Sequence, residues 1–269
     1  LDYEMIISGE DTNDEIISKY AISKEYSSSF PKFLDFVKTH KPAYAKGQIT
    51  GPFTLSTTLV DKDGRCAVYD ETLKEIIVKN LTIKAVWQIK QIKKMNPDTI
   101  PIIFIDEPSV SQLGTSAYVS ISEDEVIDML NEVSEAIHLF GGMSAIHCCG
   151  KCDWKVPIKC GVDMLNLDAY GYAQNLSVYS PQVLEFLNNS GKIVWGVVPT
   201  LDRAALEAAD INILLNKFEQ AVDYLVQRGI DKNLIIKNSL LSTSCGAGSL
   251  TTDLADKAFK LTKELSREL

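Results

Sequence analysis

The sequence has little positive charge and no long apolar run. Its 269 residues include 27 lysines and arginines against 36 aspartates and glutamates, a formal net charge of -9. Nucleic acids and anionic membrane surfaces favour basic patches, so this balance argues against both as partners. No apolar run approaches the roughly 20 residues of a membrane span. The first residues, Leu1-Asp-Tyr-Glu, have neither the basic nor the apolar region of a secretion signal, so we expect a cytoplasmic protein.

Long linkers and low-complexity segments are also missing. We therefore predict one domain over residues 1–269, in which residues 1–42 are poorly assigned. A composition of 45% hydrophobic and 23% charged residues is that of an ordinary globular protein. Six cysteines are present, four of them between positions 148 and 160. This crowding indicates metal or redox chemistry in a reducing compartment; the alternative is a disulfide framework.

From residue 43 onward, strand-like apolar runs alternate with helix-like stretches. Ser122-Glu-Asp-Glu125, for example, is a capping box that begins a helix ended by Gly141-Gly142. The alternation predicts a parallel sheet, and polar residues after six consecutive strands favour a TIM-type (β/α)8 barrel over an open sheet. Since only six strands are found, we expect an α/β barrel that lacks its first one or two βα units in this chain. The predicted strands are Ala43–Ile49, Ile102–Ile105, Met143–Ile146, Met164–Leu167, Lys192–Val198 and Leu234–Leu241.

Soft metal ligands follow two of these strands. His147-Cys148-Cys149 ends the third strand, and Cys245 follows the sixth. Alternation along a strand end places His147 and Cys149 on one side and turns Cys148 into the core. If both strands belong to one parallel sheet, His147, Cys149 and Cys245 form a set that suits zinc with one position open. The alternatives are a buried core histidine among structural cysteines, or a redox pair of Cys149 and Cys152.

Carboxylates and amides follow the other strands. Asp106 and Glu107 come directly after a buried strand, where a charge is costly unless it binds something. Adjacent residues face opposite ways, so at most one points into the barrel mouth, to hold a substrate ammonium or handle a proton. A helix cap or a salt bridge is the alternative. Gln48 and Thr50 end the first strand, where a plain βα turn is the alternative, and Asp168 ends the fourth as a candidate fourth metal ligand.

Five motifs in this order resemble the catalytic barrel of cobalamin-independent methionine synthase. The likeness is greatest to the short core type, within the uroporphyrinogen decarboxylase-like superfamily, and it runs from about Ala43 to the C-terminus. Each motif is weak alone, whereas the five in order are specific. The motifs are Thr50-Gly51-Pro52-Phe53-Thr54, Ile105-Asp106-Glu107-Pro108, His147-x-Cys149, Val162-Asp-Met-Leu-Asn-Leu-Asp168 and Ser244-Cys245-Gly246.

The resemblance implies a methyltransferase that methylates the zinc-bound thiolate of homocysteine and yields methionine. It assigns zinc to His147, Cys149 and Cys245, with Asp168 at the place of the family's glutamate ligand, and it assigns the amino group of homocysteine to Asp106. Asp106 and Asp168 are the predicted catalytic carboxylates, and the predicted substrate-binding residues are Asp106, Glu107, Gln48 and Thr50. The short synthases take their methyl group from a corrinoid protein, so the expected donor is methylcobalamin.

Two alternative functions stay open. The zinc methyltransferases that act on coenzyme M share His147-x-Cys149-Gly150 and a late cysteine-glycine pair, so another thiol acceptor fits the motifs equally well. A non-catalytic corrinoid-binding or metal-binding barrel is the alternative from another class. The family's Gly-Ser-Phe-Pro-like segment, which helps to bind the homocysteine carboxylate, is not found in the sequence.

Overall fold

The computed structural model describes residues 1–8 and 14–268, which form two compact units. The first unit consists of Leu1–Ser109, Leu113–Ile146 and Cys160–Val162, and the second of Val110–Gln112, His147–Lys159 and Asp163–Leu269. The strands are β1 (Tyr44–Thr50), β2 (Ile100–Asp106), β3 (Met143–Cys148), β4 (Met164–Leu167), β5 (Lys192–Val198) and β6 (Ser239–Thr243).

Helices separate the strands along the chain. Within the described ranges, none of them is both long enough and apolar enough to cross a membrane. The α-helices are α1 (Asp2–Ile7), α2 (Asp14–Ser18), α3 (Phe30–His40), α4 (Pro52–Thr58), α5 (Glu71–Met95), α6 (Glu123–Leu139), α7 (Lys155–Lys159), α8 (Ala169–Leu176), α9 (Ser180–Asn188), α10 (Arg203–Ala208), α11 (Ile211–Val226), α12 (Lys232–Lys237) and α13 (Thr252–Glu268).

The expected closed barrel is wrong. The strands form one six-stranded sheet in the order β1-β2-β3-β4-β5-β6, and the pairs β1–β2, β4–β5 and β5–β6 are parallel. A (β/α)8 barrel needs eight strands with the last paired to the first. The described residues before β1 form helices and turns, so they supply no further strand. The α/β class is correct, and the sheet ends at β1 and β6.

The sixth predicted strand is correct only in its second half. Residues 232–237 form helix α12, because Asp231 caps it and its Oδ1 accepts the Leu234 N–H at 3.0 Å. The strand begins at Ser239. A short apolar run such as Leu234-Ile-Ile fits a helical turn as well as a strand, so its periodicity does not separate the two. The capping box at Ser122 is confirmed, as is the helix end at Gly141, whose φ is 74°.

Helix α5 organises the first unit. It packs against β1, β2, α3, α4 and α6. The residues that it buries recur at helical spacing, and they include Ile77, Leu81, Ala85, Ile89 and Ile92. In β1 every second residue is buried, so Ala45, Gly47 and Ile49 face the helices while Lys46, Gln48 and Thr50 lie on the opposite, exposed face. The strand therefore presents its polar residues away from the core.

Gln88 of α5 covers part of the free edge of β1. Its Oε1 accepts the Gln48 N–H at 3.0 Å, and its Nε2 donates to the Gln48 carbonyl at 2.9 Å. Gly47 makes this approach possible, since a Cβ atom there would lie 2.7 Å from Gln88 Oε1. Open edge groups are templates for unwanted strand pairing, and a buried amide that bonds to them removes that template. The same two bonds hold the backbone of Gln48 in place.

Strands β4, β5 and β6 belong to the second unit, with helices α8, α11 and α13 packed on β5 or β6. Trp195 of β5 is fully buried, lies edge-on to Phe218 with ring centroids 6.1 Å apart, and donates from Nε1 to Ser239 Oγ at 2.8 Å. Gly196 follows in β5, and a Cβ atom there would lie only 2.8 Å from the Cα of Ser244. This glycine lets the segment after β6 lie close against β5.

Candidate metal centre

His147, Cys149 and Cys245 converge in the second unit. Each residue offers one ligand atom, and these atoms all lie within 4.8 Å of one another, so the cluster can hold a metal ion. His147 is buried and the two cysteines are half-buried. Cys148 is fully buried and is not in the cluster, as the alternation of side chains at the end of β3 predicts. All six cysteines of the chain are thiols.

A hydrogen-bond chain fixes the ring of His147. Its Nδ1 lies 2.7 Å from Oδ1 of Asn166, on β4. Asn166 is buried, and its Nδ2 donates to the carbonyl of Val194 at 2.8 Å. The amide oxygen of Asn166 is therefore the acceptor, His147 Nδ1 carries the proton, and Nε2 is the nitrogen with a lone pair for a metal.

A buried hydroxyl holds the backbone of Cys245. Thr200 Oγ1 accepts the Cys245 N–H at 3.0 Å and donates to the Cys245 carbonyl at 2.8 Å. The preceding residue, Ser244, is held in the same way, since its N–H donates to the Val198 carbonyl at 2.8 Å and its Oγ accepts the Thr200 N–H at 3.0 Å. Thr200 and Ser244 are both buried. Cys245 is thus placed by the end of β5, although it follows β6 in the chain.

The surroundings of Cys149 oppose the ionisation of its thiol. Burial, followed by the proximity of Cys245, raises the pKa of the Cys149 thiol to about 12. Without a cation, Cys149 is therefore protonated at neutral pH. A metal ion among the three ligands would offset both effects, because its positive charge favours the thiolate.

Asp168, the predicted fourth ligand, is not among the residues whose ligand atoms converge. It is buried at the end of β4, where it caps helix α8 and accepts the Gly171 N–H on Oδ1 at 2.9 Å. Burial raises the pKa of its carboxyl group, and the hydrogen bonds from the backbone of Gly171 and Tyr170 oppose that effect. Its part in metal binding and catalysis stays a prediction of the sequence.

Asp106 and Gln48 lie together in the first unit, at the ends of the paired strands β2 and β1. Gln48 Nε2 donates to Asp106 Oδ2, and Gln48 Oε1 accepts from Lys46 Nζ at 2.9 Å. Burial raises the pKa of Asp106 to about 6, and Lys46 and Gln48 oppose the rise. Thr50, the other predicted residue of β1, is exposed. Asp106 is thus an ionisable carboxylate on the polar face of this strand pair.

Glu107 has a different environment from its neighbour Asp106. It is fully buried, and its carboxyl oxygens accept the Phe53 and Thr54 N–H groups at 2.9 Å and the Thr54 hydroxyl at 2.7 Å. These bonds cap the N-terminus of α4, which is the helix-cap alternative left open by the sequence. Burial raises the pKa of Glu107 to about 7. These bonds give Glu107 a structural role, and its part in substrate binding stays a prediction of the sequence.

Asn166 and Ser244 support the site, and the sequence does not predict either of them as a site residue. A signal for Asn166 exists, since it is the one polar residue inside the strand Met164–Leu167, and a buried amide requires partners. Ser244 adjoins a predicted ligand, but nothing in the sequence indicates that it bonds to Thr200, which lies 44 positions away. Contacts of this kind depend on the sheet order.

No protein-family model and no curated protein matches this chain.

Proposed function

We propose that the protein binds zinc through His147, Cys149 and Cys245 and methylates the thiol of homocysteine to give methionine. The observation that carries the proposal is the convergence of one nitrogen and two sulfur ligands within 4.8 Å. Zinc favours this ligand set, and three protein ligands leave the fourth position of a tetrahedral site for a substrate. The open position is what an enzyme acting on a thiol requires.

The donor set fits zinc in charge and in orientation. Two thiolates balance the charge of a divalent ion, and Asn166 directs the Nε2 lone pair of His147 away from its own amide. Thr200 holds the backbone of Cys245 by two hydrogen bonds, which limits the movement of its thiol. Zinc, when bound, supplies a Lewis acid that lowers the pKa of a coordinated substrate thiol. The protein's part is to hold the three ligands in place and to present Nε2 of His147 to the metal.

Homocysteine as the acceptor rests on the motif resemblance, which assigns its amino group to Asp106. The properties of Asp106 are compatible with this role. With a pKa of about 6, the carboxyl group is largely ionised at neutral pH and is able to pair with an ammonium group. A thiol without an amino group, such as coenzyme M, would not benefit from that charge.

We propose a methylated corrinoid, methylcobalamin carried by a partner protein, as the methyl donor. The new sulfur–carbon bond forms as the cobalt–carbon bond breaks, and cobalt keeps the electron pair, so the leaving group needs no acid. A folate donor differs, because its amine must be protonated as it departs and its polyglutamate tail favours basic residues. The net charge of -9 does not favour such a tail. The six thiols of the chain suit a reducing compartment such as the cytoplasm.

Cobalt(II) substituted for zinc provides the test, because thiolate–cobalt absorption reports on the ligands. We expect one cobalt per chain and an added thiolate band when homocysteine is supplied. Homoserine, which has a hydroxyl in place of the thiol, should leave the spectrum unchanged. If homocysteine also leaves it unchanged, homocysteine is not the acceptor. The zinc protein with methylcobalamin and homocysteine should then form methionine above the protein-free rate, measured by mass spectrometry.

A further inference from the structure

A cavity lies in the first unit, and all the residues that line it belong to that unit. Its volume is about 630 Å³. Its walls are the segment 21–26, the end of β1, helix α4 and helix α5. Binding sites for small organic molecules have volumes of about 300–1,000 Å³. The cavity is therefore large enough for a molecule of that class.

Most of the cavity wall is apolar. Ile22 and Leu55 contribute partly exposed side chains, and Ile49 and Leu81 contribute buried ones. An apolar body placed there would remove both its own surface and these side chains from water, which favours binding. The wall thus favours a ligand with an apolar portion.

Among the described residues that line the cavity, Lys84 is the one with a charged side chain. Its Nζ donates to the Tyr20 carbonyl at 2.9 Å, and within the described ranges no carboxylate pairs with it. An ammonium group has three N–H donors, so further donors are available to an acceptor in the cavity. Burial lowers the pKa of Lys84, which is the cost of holding a cation in this place without a counter-ion.

Hydroxyl groups add to the polar part of the wall. Ser23, Tyr26 and Thr50 line the same cavity as Lys84. Hydroxyls donate hydrogen bonds to anions, and together with one ammonium group they suit a ligand with a single negative charge. A cation would be repelled by Lys84, and a phosphate dianion would leave one charge uncompensated.

We propose that this cavity binds a small organic carboxylate, with its carboxylate group on Lys84 and its apolar body against Leu55 and Leu81. The proposal does not depend on the metal centre, because each residue that it uses lies in the first unit. Lys84 at one end of the cavity favours a negative charge, and the apolar side chains at the other end favour an apolar body. A small organic carboxylate has both.

Titration calorimetry with octanoate, octan-1-ol and octylammonium tests the proposal, since the three share an apolar chain and differ in charge. We expect octanoate to bind at least about tenfold more tightly than either of the others. Lys84→Met should weaken octanoate binding by about tenfold, a moderate factor because the lysine is partly open to solvent. Lys94→Met, a matched loss of charge at an exposed position of helix α5, should leave it unchanged.

A second variant fills the cavity and keeps the charge of Lys84. Ala21→Phe places a ring in the cavity and should also reduce octanoate binding, and thermal unfolding of both variants should show that they fold. Equal affinities for octanoate and octanol, no binding of octanoate, or unchanged binding in Lys84→Met would each overturn the proposal.

Discussion

The imidazole of His147 and the side-chain amide of Asn166 meet at 2.7 Å, and this bond decides which ring nitrogen is able to bind a metal. The amide is itself oriented by its donation to the Val194 carbonyl. The proton therefore resides on Nδ1 and the lone pair on Nε2. A residue of β4 thus sets the tautomer of a ligand at the end of β3, and it does so through the backbone of β5. Outer partners of this kind commonly tune metal affinity.

Replacing Asn166 by leucine should weaken zinc binding while the protein stays folded. The substitution removes the acceptor for His147 Nδ1, so neither the tautomer nor the ring orientation is fixed, and we expect an affinity loss of about 10–100-fold. Competition with a chromophoric chelator measures the affinity. Asn216→Ala, at an exposed position of helix α11, is the matched control and should bind zinc like the unaltered protein. Unchanged affinity in Asn166→Leu would show that the hydrogen bond does not support the ligand.

Substitution of a cluster cysteine should lower the zinc content, whereas substitution of the neighbouring Cys148 should not. Cys245→Ser replaces a thiolate ligand by a hydroxyl, a poor zinc ligand, and should lose most of the zinc. Cys148→Ala should keep the full zinc content, because Cys148 is buried and outside the cluster. Elemental analysis of the purified variants gives the stoichiometry. Full retention of zinc in Cys245→Ser would remove that residue from the ligand set.

Much of this site follows from the sequence for a simple reason. Period-two alternation after a buried strand separates His147 and Cys149 from Cys148 whatever the rest of the fold, and the structure agrees. The partners of Glu107 could not be predicted in this way. They depend on how the turn after β1 lies against the end of β2, which is a contact across more than 50 positions.

The sheet itself shows the same limit. Polar residues after six strands occur in both a closed barrel and an open sheet, because in either fold a strand pairs only with the strands beside it. Closure depends on whether the first and last strands meet, and no local pattern in β1 or β6 reports on that. The strand prediction is wrong at 234–237, because Asp231 caps a helix there and the apolar run lies within it.

Asp106→Asn should keep zinc and weaken the binding of homocysteine. The change removes the charge proposed to pair with the substrate ammonium, and we expect a loss of about 2–4 kcal/mol, the range for truncating one partner of a desolvated charge pair. Asp98→Asn, at an exposed position before β2, is the control. Calorimetric titration of the zinc-loaded variants with homocysteine measures the affinity of each. Equal binding by Asp106→Asn and the unaltered protein would remove Asp106 from the substrate site.

The pH dependence of homocysteine binding gives an independent check on Asp106. Its raised pKa of about 6 means that the carboxyl group gains a proton as the pH falls through 6. The protonated form has no charge for an ammonium partner, so the affinity of the unaltered protein for homocysteine should fall below pH 6. This fall should be larger than the one that Asp106→Asn shows over the same pH range. Parallel pH profiles for the two proteins would contradict the role.

The effects of substituting Gly51 and Glu107 on the free energy of unfolding should depend strongly on each other. The backbone of Gly51 has φ -70° and ψ 148°, which any residue adopts, so alanine would cause no backbone strain there. A Cβ atom, however, would lie 2.1 Å from the Cδ of Glu107. The carboxyl group is buried and held by the N-terminus of α4, so it cannot move aside without losing those hydrogen bonds. We expect Gly51→Ala to reduce the free energy of unfolding by about 1–3 kcal/mol, as overpacking does.

A double-mutant cycle separates this collision from other effects of the added methyl group. Glu107→Ala alone should cost about 1–3 kcal/mol, because it leaves buried N–H donors of α4 without their acceptor. Once Glu107 is gone, the added methyl group of Gly51→Ala meets open space, so the double variant should be no less stable than Glu107→Ala. Urea unfolding of the four proteins gives the coupling, and Gly248→Ala, which has no atom within 4 Å of its new Cβ, serves as the neutral control. Additive effects of the two substitutions would mean that Glu107 does not fill the space beside Gly51.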